Sequence, residues 1–262
     1  MVRHLATPLA GLWMRTGLVM VVLALVLGCA SVPSETDRTP GSSSLVVDPF
    51  EPMNRAVFDF NDAVDRGFFR PVAKVYQRTL PPGMRAAVGN FFDNLRGPTT
   101  IINDVLQGNF TQAVADFDRF TINTTLGVAG LFDVATPLGR PRHQEDYGQT
   151  LALWGVPSGP YLVLPLLGPG TPRDALGLVP EFLYSDPLAS NATTSEQVLR
   201  YTLRFIDIRA SLLKTDRLLQ LQIDPYLFVR EVYRQQRHSE IYGDSQPEPV
   251  EMLDLEKALF DE

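Results

Sequence analysis

His143 stands two and three residues before Glu145 and Asp146, in a proline-rich loop. An imidazole held by a carboxylate can act as a general base if a third group positions it against the proton to be removed. No such group is evident here, and a lone loop histidine beside acids reads first as a surface ion pair. Ser158 lies in Gly155-Val156-Pro157-Ser158-Gly159. A nucleophile elbow needs G-x-S-x-G, and this serine falls one place late. His238 with Glu240, near an expected helix end, reads as a capping cation. The chain has no H-E-x-x-H and no cysteine cluster, so neither a metal nor another cofactor is expected. These residues do not make an enzyme: no nucleophile–base pair or ligand cluster emerges.

The lone cysteine, Cys29, has a different chemistry. Residues 1–28 carry Arg3 and Arg15 and no acid, Leu18 to Leu27 is wholly apolar, and Gly28 precedes the cysteine. A basic start, a short apolar run and a small residue at the cut make a secretory signal, too short to span a bilayer. Val26-Leu27-Gly28-Cys29 resembles the lipobox of bacterial lipoproteins. That resemblance implies cleavage before Cys29 and acylation of its sulfur and its amine, palmitate being one such acyl group. Stable anchoring takes more than one chain, which such a cysteine carries. Ala30 and Ser31, with no Asp after the cysteine, favour the outer membrane by similarity to Gram-negative sorting rules.

The elements behind that anchor follow in order. Residues 1–28 read as the signal and 29–47 as a lipidated tether rich in Ser, Thr, Pro and Gly. Residues 48–243 read as one helical domain and 244–262 as an acidic tail in which Met252 and Leu253 could form a docking helix. Met53, Val57, Phe60, Val64 and Phe68 recur as one face of a helix that Arg70-Pro71 ends or kinks. Pro81-Pro82-Gly83 opens a second, with Met84, Val88, Phe91 and Leu95, which Gly97-Pro98 stops. Thr99 to Leu106 makes a short helix. Thr111 caps another, marked by Ala113, Phe117, Phe120 and Thr124. Thr194 to Gln197 is a capping-box pattern opening the longest helix, to about Gln222. Asp224-Pro225 starts a further one.

Gly148 to Pro172 is the odd stretch: 25 residues without a charge, broken by Gly155, Pro157, Gly159, Pro160, Pro165, Gly168, Pro169 and Gly170. It is apolar enough for lipid and too broken for a helix across it. Taken alone it reads as a buried loop or hairpin. Tyr161 to Leu167 is expected as a strand or extended arm, with Pro165 confining it to an edge. The class is therefore mostly α. A net charge of −7 argues against nucleic acid as a partner. Paired aromatics (Phe58 and Phe60, Phe68 and Phe69, Phe91 and Phe92) widen the apolar stripes beyond one core face. Two readings stay open on the residues alone: a closed core, or apolar faces shared between a core and a membrane.

Several stretches together resemble the MlaA (VacJ) family of outer-membrane lipoproteins. They are Asp48-Pro49-Phe50-Glu51-Pro52-Met53-Asn54-Arg55, Arg70-Pro71-Val72-Ala73, and Arg119-Phe120 with Asn123-Thr124 and Asp133-Val134-Ala135. Tyr147-Gly148-Gln149-Thr150-Leu151 through Gly168 and Arg173-Asp174 follows, then Asp224-Pro225-Tyr226 with Val229-Arg230-Glu231. Trp154 stands where Tyr or His is expected. The resemblance implies a ring-like single domain of amphipathic helices in the periplasmic, inner leaflet of the outer membrane, with an amphipathic central channel. It implies that phospholipids mislocalised to the outer leaflet pass through it to a soluble periplasmic carrier. It also implies association with a trimeric porin.

On that basis Gly155, Gly159, Pro160, Tyr161, Pro165 and Gly168 are expected in the channel wall or rim. Arg173 and Asp174 are expected at a water-facing edge. Phe58, Phe60 and Asn61 are expected to border the opening. A lipid-anchored envelope scaffold without transport is the alternative. A lipid-cleaving enzyme would require His143 beside a nucleophile such as Ser158.

Overall fold

Much of the buried interior of this protein is polar, including Asn54, Thr99, Asn103 and Asp104, while large apolar side chains such as Phe110, Phe117 and Leu199 are exposed. The computed structural model describes residues 48–184, 188 and 192–243. The signal, Cys29, the tether and the acidic tail lie outside the described residues.

Helix α1 (Glu51–Val64) runs through a π-turn (Asp65–Phe69) into α2 (Arg70–Thr79). Arg70-Pro71 thus does not end the helix. Pro71 has no N–H to give and would crowd the carbonyl four residues back. The π-turn absorbs this: Arg70 N–H bonds to the Asp65 carbonyl five residues back, and Pro71 falls in the first turn of α2. Asp65 is then gripped by Arg209 at 2.5 and 2.8 Å, and Arg209 also holds Asp216.

Helix α3 (Pro82–Leu106) is continuous through Gly97-Pro98, contrary to the expected stop, and it absorbs the short helix expected at Thr99 to Leu106. An internal proline costs a helix about 3 kcal/mol. Packing against α4 (Phe110–Thr125) outweighs that cost. Gly97 permits the closest approach: a Cβ there would lie 2.8 Å from Phe120 Cδ2. Helix α4 is capped by Asn109, whose side chain accepts from Gln112 N, and not by Thr111. The chain leaves it through Val128, Ala129 and Gly130, all left-handed (φ 54°, 57° and 85°). Such strain persists only where surrounding bonds fix it. Asn123 Oδ1 supplies two of these, accepting from Val134 N and Ala135 N at 2.9 Å each.

Gly148 to Pro172 is not wholly irregular. It opens inside α5 (Tyr147–Leu153), capped by Asp146, and continues as a hairpin of β1 (Leu162–Leu164) and β2 (Gly168–Gly170). Leu162 pairs with Gly170, Val163 with Pro169 and Leu164 with Gly168, antiparallel. Helix α6 (Pro172–Tyr184) follows. Thr193, not Thr194, caps α7 (Thr194–Ser211) in a capping box with Glu196. Helix α7 is shorter than expected: a 3₁₀ turn (Leu212–Lys214) separates it from α8 (Asp216–Gln220). Helix α9 (Pro225–Tyr242) starts at its Asp224 cap as the sequence implies.

Contacts between elements close a circuit: β1 to α1, through the π-turn to α2, then α7, α3, α5, α9, β2 and back to β1. This is the ring-like, mostly helical domain. Among the described residues no helix is long and apolar enough to cross a membrane.

Candidate functional site

Two asparagines two helical turns apart on α1 hold the hairpin as a neighbouring strand would. Asn54 donates to Tyr161 O at 3.0 Å and accepts from Val163 N at 2.9 Å. Asn61 donates to Leu164 O at 3.0 Å and accepts from Leu166 N at 2.8 Å. A side-chain amide carries the same donor and acceptor as a peptide, so each satisfies one peptide donor and one peptide acceptor on the unpaired edge of the hairpin's first arm. Under the hairpin lies a small aromatic core of Tyr161, Val163 and Tyr226, packed by Val57, Phe58 and Tyr233. Phe58 meets Tyr226 edge-on at 5.8 Å.

The first and last sequence motifs meet here. Asp48 accepts from Phe50 N, Asn54 Nδ2 and the Tyr226 hydroxyl. Arg55 lies over the Tyr226 ring and pairs with both oxygens of Asp224, at 3.2 and 2.7 Å. Asp224 is also the α9 cap, so one carboxylate joins α1 to the start of α9.

Beside the hairpin, β1, β2, α5, α6 and α9 border an open cavity of about 280 Å³. One part of its lining is apolar: Leu164, Leu167, Pro169, Ala175 and Leu178. The other is charged: Asp146, Asp174, Glu181, Arg237 and Glu240. Arg237 organises the charged side, reaching Asp146 at 2.7 and 2.8 Å and Asp174 at 3.0 and 2.7 Å. Burial opposes the charge on Arg237, yet the two carboxylates outweigh it and raise its pKa. Burial likewise opposes Asp146 ionisation, and Arg237 overcomes it. Tyr233 donates to Asp174 and is pushed up by burial and by that carboxylate. Glycine makes the crossing of α5 and α6 close enough: a Cβ at Gly177 would lie 2.5 Å from Gly148 N, and one at Gly148 2.5 Å from Arg237 Nη2.

Of the expected wall and rim residues, the hairpin gathers Tyr161, Pro165 and Gly168 with Asn61. Tyr161 is buried, Pro165 exposed, and Gly168 left-handed (φ 87°). Gly155 (φ 86°) and Gly159 (φ 72°) turn the exposed loop before the hairpin, with Pro160 half-buried at its end. Phe60 is half exposed on the outer side of α1, whereas Phe58 enters the aromatic core. Asp174 lines the cavity. Arg173 departs from expectation: it is 6% exposed, faces the Val156 carbonyl, and forms no water-facing edge. The sequence reading missed Asn54, Asp146 and Arg237. Asn54 lies inside the Asp48–Arg55 motif, but only the fold shows which peptide it imitates.

The outer surface completes the site. On α4, Phe110, Val114 and Phe117 form an exposed stripe while Ala113, Asp116 and Asn123 are buried. On α3, Ile102, Val105 and Leu106 face out while Thr99, Thr100, Asn103 and Asp104 face in. On α7, Val198, Leu199, Phe205 and Ile208 are exposed and Arg209 points inward. Trp154 is exposed, its indole donating to Leu106 O.

His143 is not on the surface as an isolated pair: it is grouped with Asp104, Asp116 and Glu145. Its hydrogen bonds to Asp116 and Glu145 push it up to about 10 against the opposing effect of burial. The recorded bond of the Ser158 hydroxyl runs to Gly159 O, not to an imidazole.

Residues 46–240 match the family model described as MlaA lipoprotein. A Shigella flexneri protein, "Intermembrane phospholipid transport system lipoprotein MlaA", is 39% identical over 232 residues, covering 87% of this chain and 88% of that one. The protein of the same description from Escherichia coli (strain K12) is 38% identical with the same coverage. A solved structure described as "Structural basis for maintenance of bacterial outer membrane lipid asymmetry" superposes with a TM-score of 0.67 at 36% identity. That match covers 74% of this chain and 99% of the other.

Proposed function

The chain belongs to the MlaA lipoprotein family, and on that premise we propose that it removes mislocalised phospholipids from the outer leaflet of the outer membrane. This is a family of lipoproteins, not of enzymes. In our reading the ring sits in the inner leaflet, held by its Cys29 acyl chains and its exposed apolar faces. A phospholipid enters beside the hairpin, passes the cavity and leaves to a soluble periplasmic carrier. A trimeric porin partner fits the same scheme, with part of the apolar belt against the porin wall.

The observation that carries this reading is the open cavity beside the hairpin. Its lining is divided as a phospholipid is divided, with Leu164, Leu167 and Leu178 suited to acyl chains and Asp146, Asp174 and Arg237 suited to a hydrated headgroup. Hydrocarbon around the ring removes the penalty that water would impose on Phe110, Phe117 and Leu199.

The cavity can be narrowed without straining the backbone. Gly170 lines it at negative φ, and a Cβ there would meet Leu164 Cδ1 at an ordinary 3.7 Å. In a strain lacking the native gene, wild-type complementation should clear surface-exposed phospholipid, measured by outer-leaflet labelling. Gly170→Phe, at equal protein level, should leave it uncleared. Clearance by Gly170→Phe equal to wild type would sink the route through this cavity. Failure of the wild type itself would favour the non-transporting scaffold.

A further inference from the structure

Asp104 is 1% exposed, no donor from another residue type reaches either of its carboxylate oxygens, and it faces the carboxylate of Asp116. It comes from α3 and points at a group drawn from two other segments: Asp116 on α4, and His143 and Glu145 in the loop before α5. One ligand atom from each of Asp104, His143 and Glu145 lies within 4.8 Å of the others. His143 Nδ1 is 2.8 Å from Asp116 Oδ2 and 3.9 Å from Asp104 Oδ1, while Nε2 is 3.3 Å from Glu145 Oε1. Three carboxylates therefore converge on one imidazole, and among the described residues His143 is the one cation recorded against them. Arg119 and Arg142, which line the adjoining cleft, are engaged by Asp133 at 2.9 Å and Asp93 at 2.7 Å.

We infer that Asp104, His143 and Glu145 form a binding site for one divalent transition-metal ion, with Asp116 orienting the imidazole. A buried carboxylate that no donor reaches is costly; a divalent ion brings two charges where the imidazolium brings one, and its binding releases the proton from the ligating Nε2. One nitrogen and two carboxylate oxygens suit Zn²⁺ or Mn²⁺ better than Ca²⁺ or Mg²⁺, which take oxygen sets. The surroundings have the form of an outer shell: a ligating histidine commonly gives its other ring N–H to a carboxylate. Asp116 stands at that ring nitrogen. Gln107 Nε2 holds Glu145 Oε2 at 2.8 Å and also reaches the Thr150 hydroxyl, which donates to Asn103. Metal–ligand bonds of about 2.0–2.2 Å place ligand atoms some 3–4 Å apart, so small side-chain rotations close the group on an ion. Such an ion would fasten the 143–146 loop to α3 and α4. Asp146, next to Glu145, caps α5 and grips Arg237, so the fastening would stiffen one wall of the cavity.

The test uses the full chain, purified in detergent, stripped with EDTA and equilibrated separately with Zn²⁺, Mn²⁺ and Ca²⁺. After desalting, bound metal is measured by mass spectrometry and the melting temperature by circular dichroism. Wild type should retain one Zn²⁺ or Mn²⁺ per chain and melt higher with it. Asp104→Asn and Glu145→Gln should abolish both effects, and Asp116→Asn should weaken affinity by about 10–100-fold. Glu145 is the more exposed ligand, so its variant serves if Asp104→Asn does not fold. Wild type retaining no more Zn²⁺ or Mn²⁺ than Glu145→Gln, or binding Ca²⁺ in preference, would overturn the assignment.

Discussion

Around the hairpin the interior is aromatic: Tyr161 and Tyr226 are nearly sealed, with Phe58 and Tyr233 packed on them. Between α3 and α4 the interior is largely polar, with Thr99, Asn103, Asp104, Asp116 and Asn123 beside Ala113 and the Phe120–Gly97 contact, while Ile102, Phe110 and Phe117 face out. The first region is cohesive in any solvent, since its apolar burial is within the protein. The second is cohesive through hydrogen bonds and ion pairs, and its apolar burial is complete only when something non-aqueous covers the outside. The difference teaches where each region's stability resides: the hairpin region carries its own, and the α3–α4 region shares it with its surroundings. If that is right, polar deletions should hurt both regions in detergent, whereas apolar deletions on α4 should change membrane association and leave folding alone.

The largest effect is expected at Arg237. Removing it by Arg237→Ala leaves Asp146 and Asp174 buried against each other, and breaking such a pair costs about 3–5 kcal/mol. Denaturant unfolding in detergent should show that loss, and outer-leaflet phospholipid should accumulate in cells. Arg237→Lys keeps the charge without the planar fork and should recover part of the stability. A neutral result for Arg237→Ala would mean that the cavity wall does not depend on this ion group.

Next is Asn54, where the aromatic region depends on a polar side chain. Asn54→Ala strands Tyr161 O and Val163 N beside the aromatic core, a loss of about 2–4 kcal/mol. Limited proteolysis should then cut first in the Pro165 to Leu167 tip, because Asn61 alone would hold the hairpin. Protection there equal to wild type would show that β1–β2 pairing suffices.

How far the sequence reached depends on what its patterns encode. Helical periodicity finds the stripes, as for Met53, Phe60 and Phe68, but a stripe does not say whether core or hydrocarbon covers it. The face marked by Ala113, Phe117, Phe120 and Thr124 was split by the fold, with Ala113 buried and Phe117 and Thr124 exposed. Gly97-Pro98 reads as a stop because local propensity opposes the helix, and only the packing of Phe120 on Gly97 reverses that. The polar contacts were less legible still. Asn54 lies more than a hundred residues from the peptide it pairs with, and Asp104 and Asp116 lie on different helices from the loop that carries His143. His143 read alone was a surface ion pair because its two buried partners are distant in sequence.

A sharper version of the comparison uses one residue of the α4 stripe. Phe117 is 56% exposed, so Phe117→Gln removes apolar surface that contributes little to folding in water. Transfer of a phenyl side chain to hydrocarbon is worth about 1.5–3 kcal/mol. Binding of the unacylated protein to phospholipid vesicles should weaken by roughly tenfold with an unchanged melting temperature. A fall in melting temperature with vesicle binding intact would invert the assignment and make this face part of a core.

The smallest effect tests the polar interior through pH. Burial opposes the charge on Asp133, but hydrogen bonds from Thr136 and Arg119, with Asn123, hold its carboxyl down at about 2. The unfolded chain takes up that proton near the ordinary carboxylate pKa of 3.8. Between those values the unfolded state binds more protons, so stability falls as pH falls. The contribution is complete above about pH 4 and is lost as pH passes down through about 2. Asp133→Asn should therefore be about 1–2 kcal/mol less stable than wild type at neutral pH. The gap should narrow steadily on acidification, as read from urea midpoints. A gap that stays constant down to pH 2 would mean that Asp133 acts through shape and hydrogen bonding alone, and that the strained Val128–Gly130 turn is held without its charge.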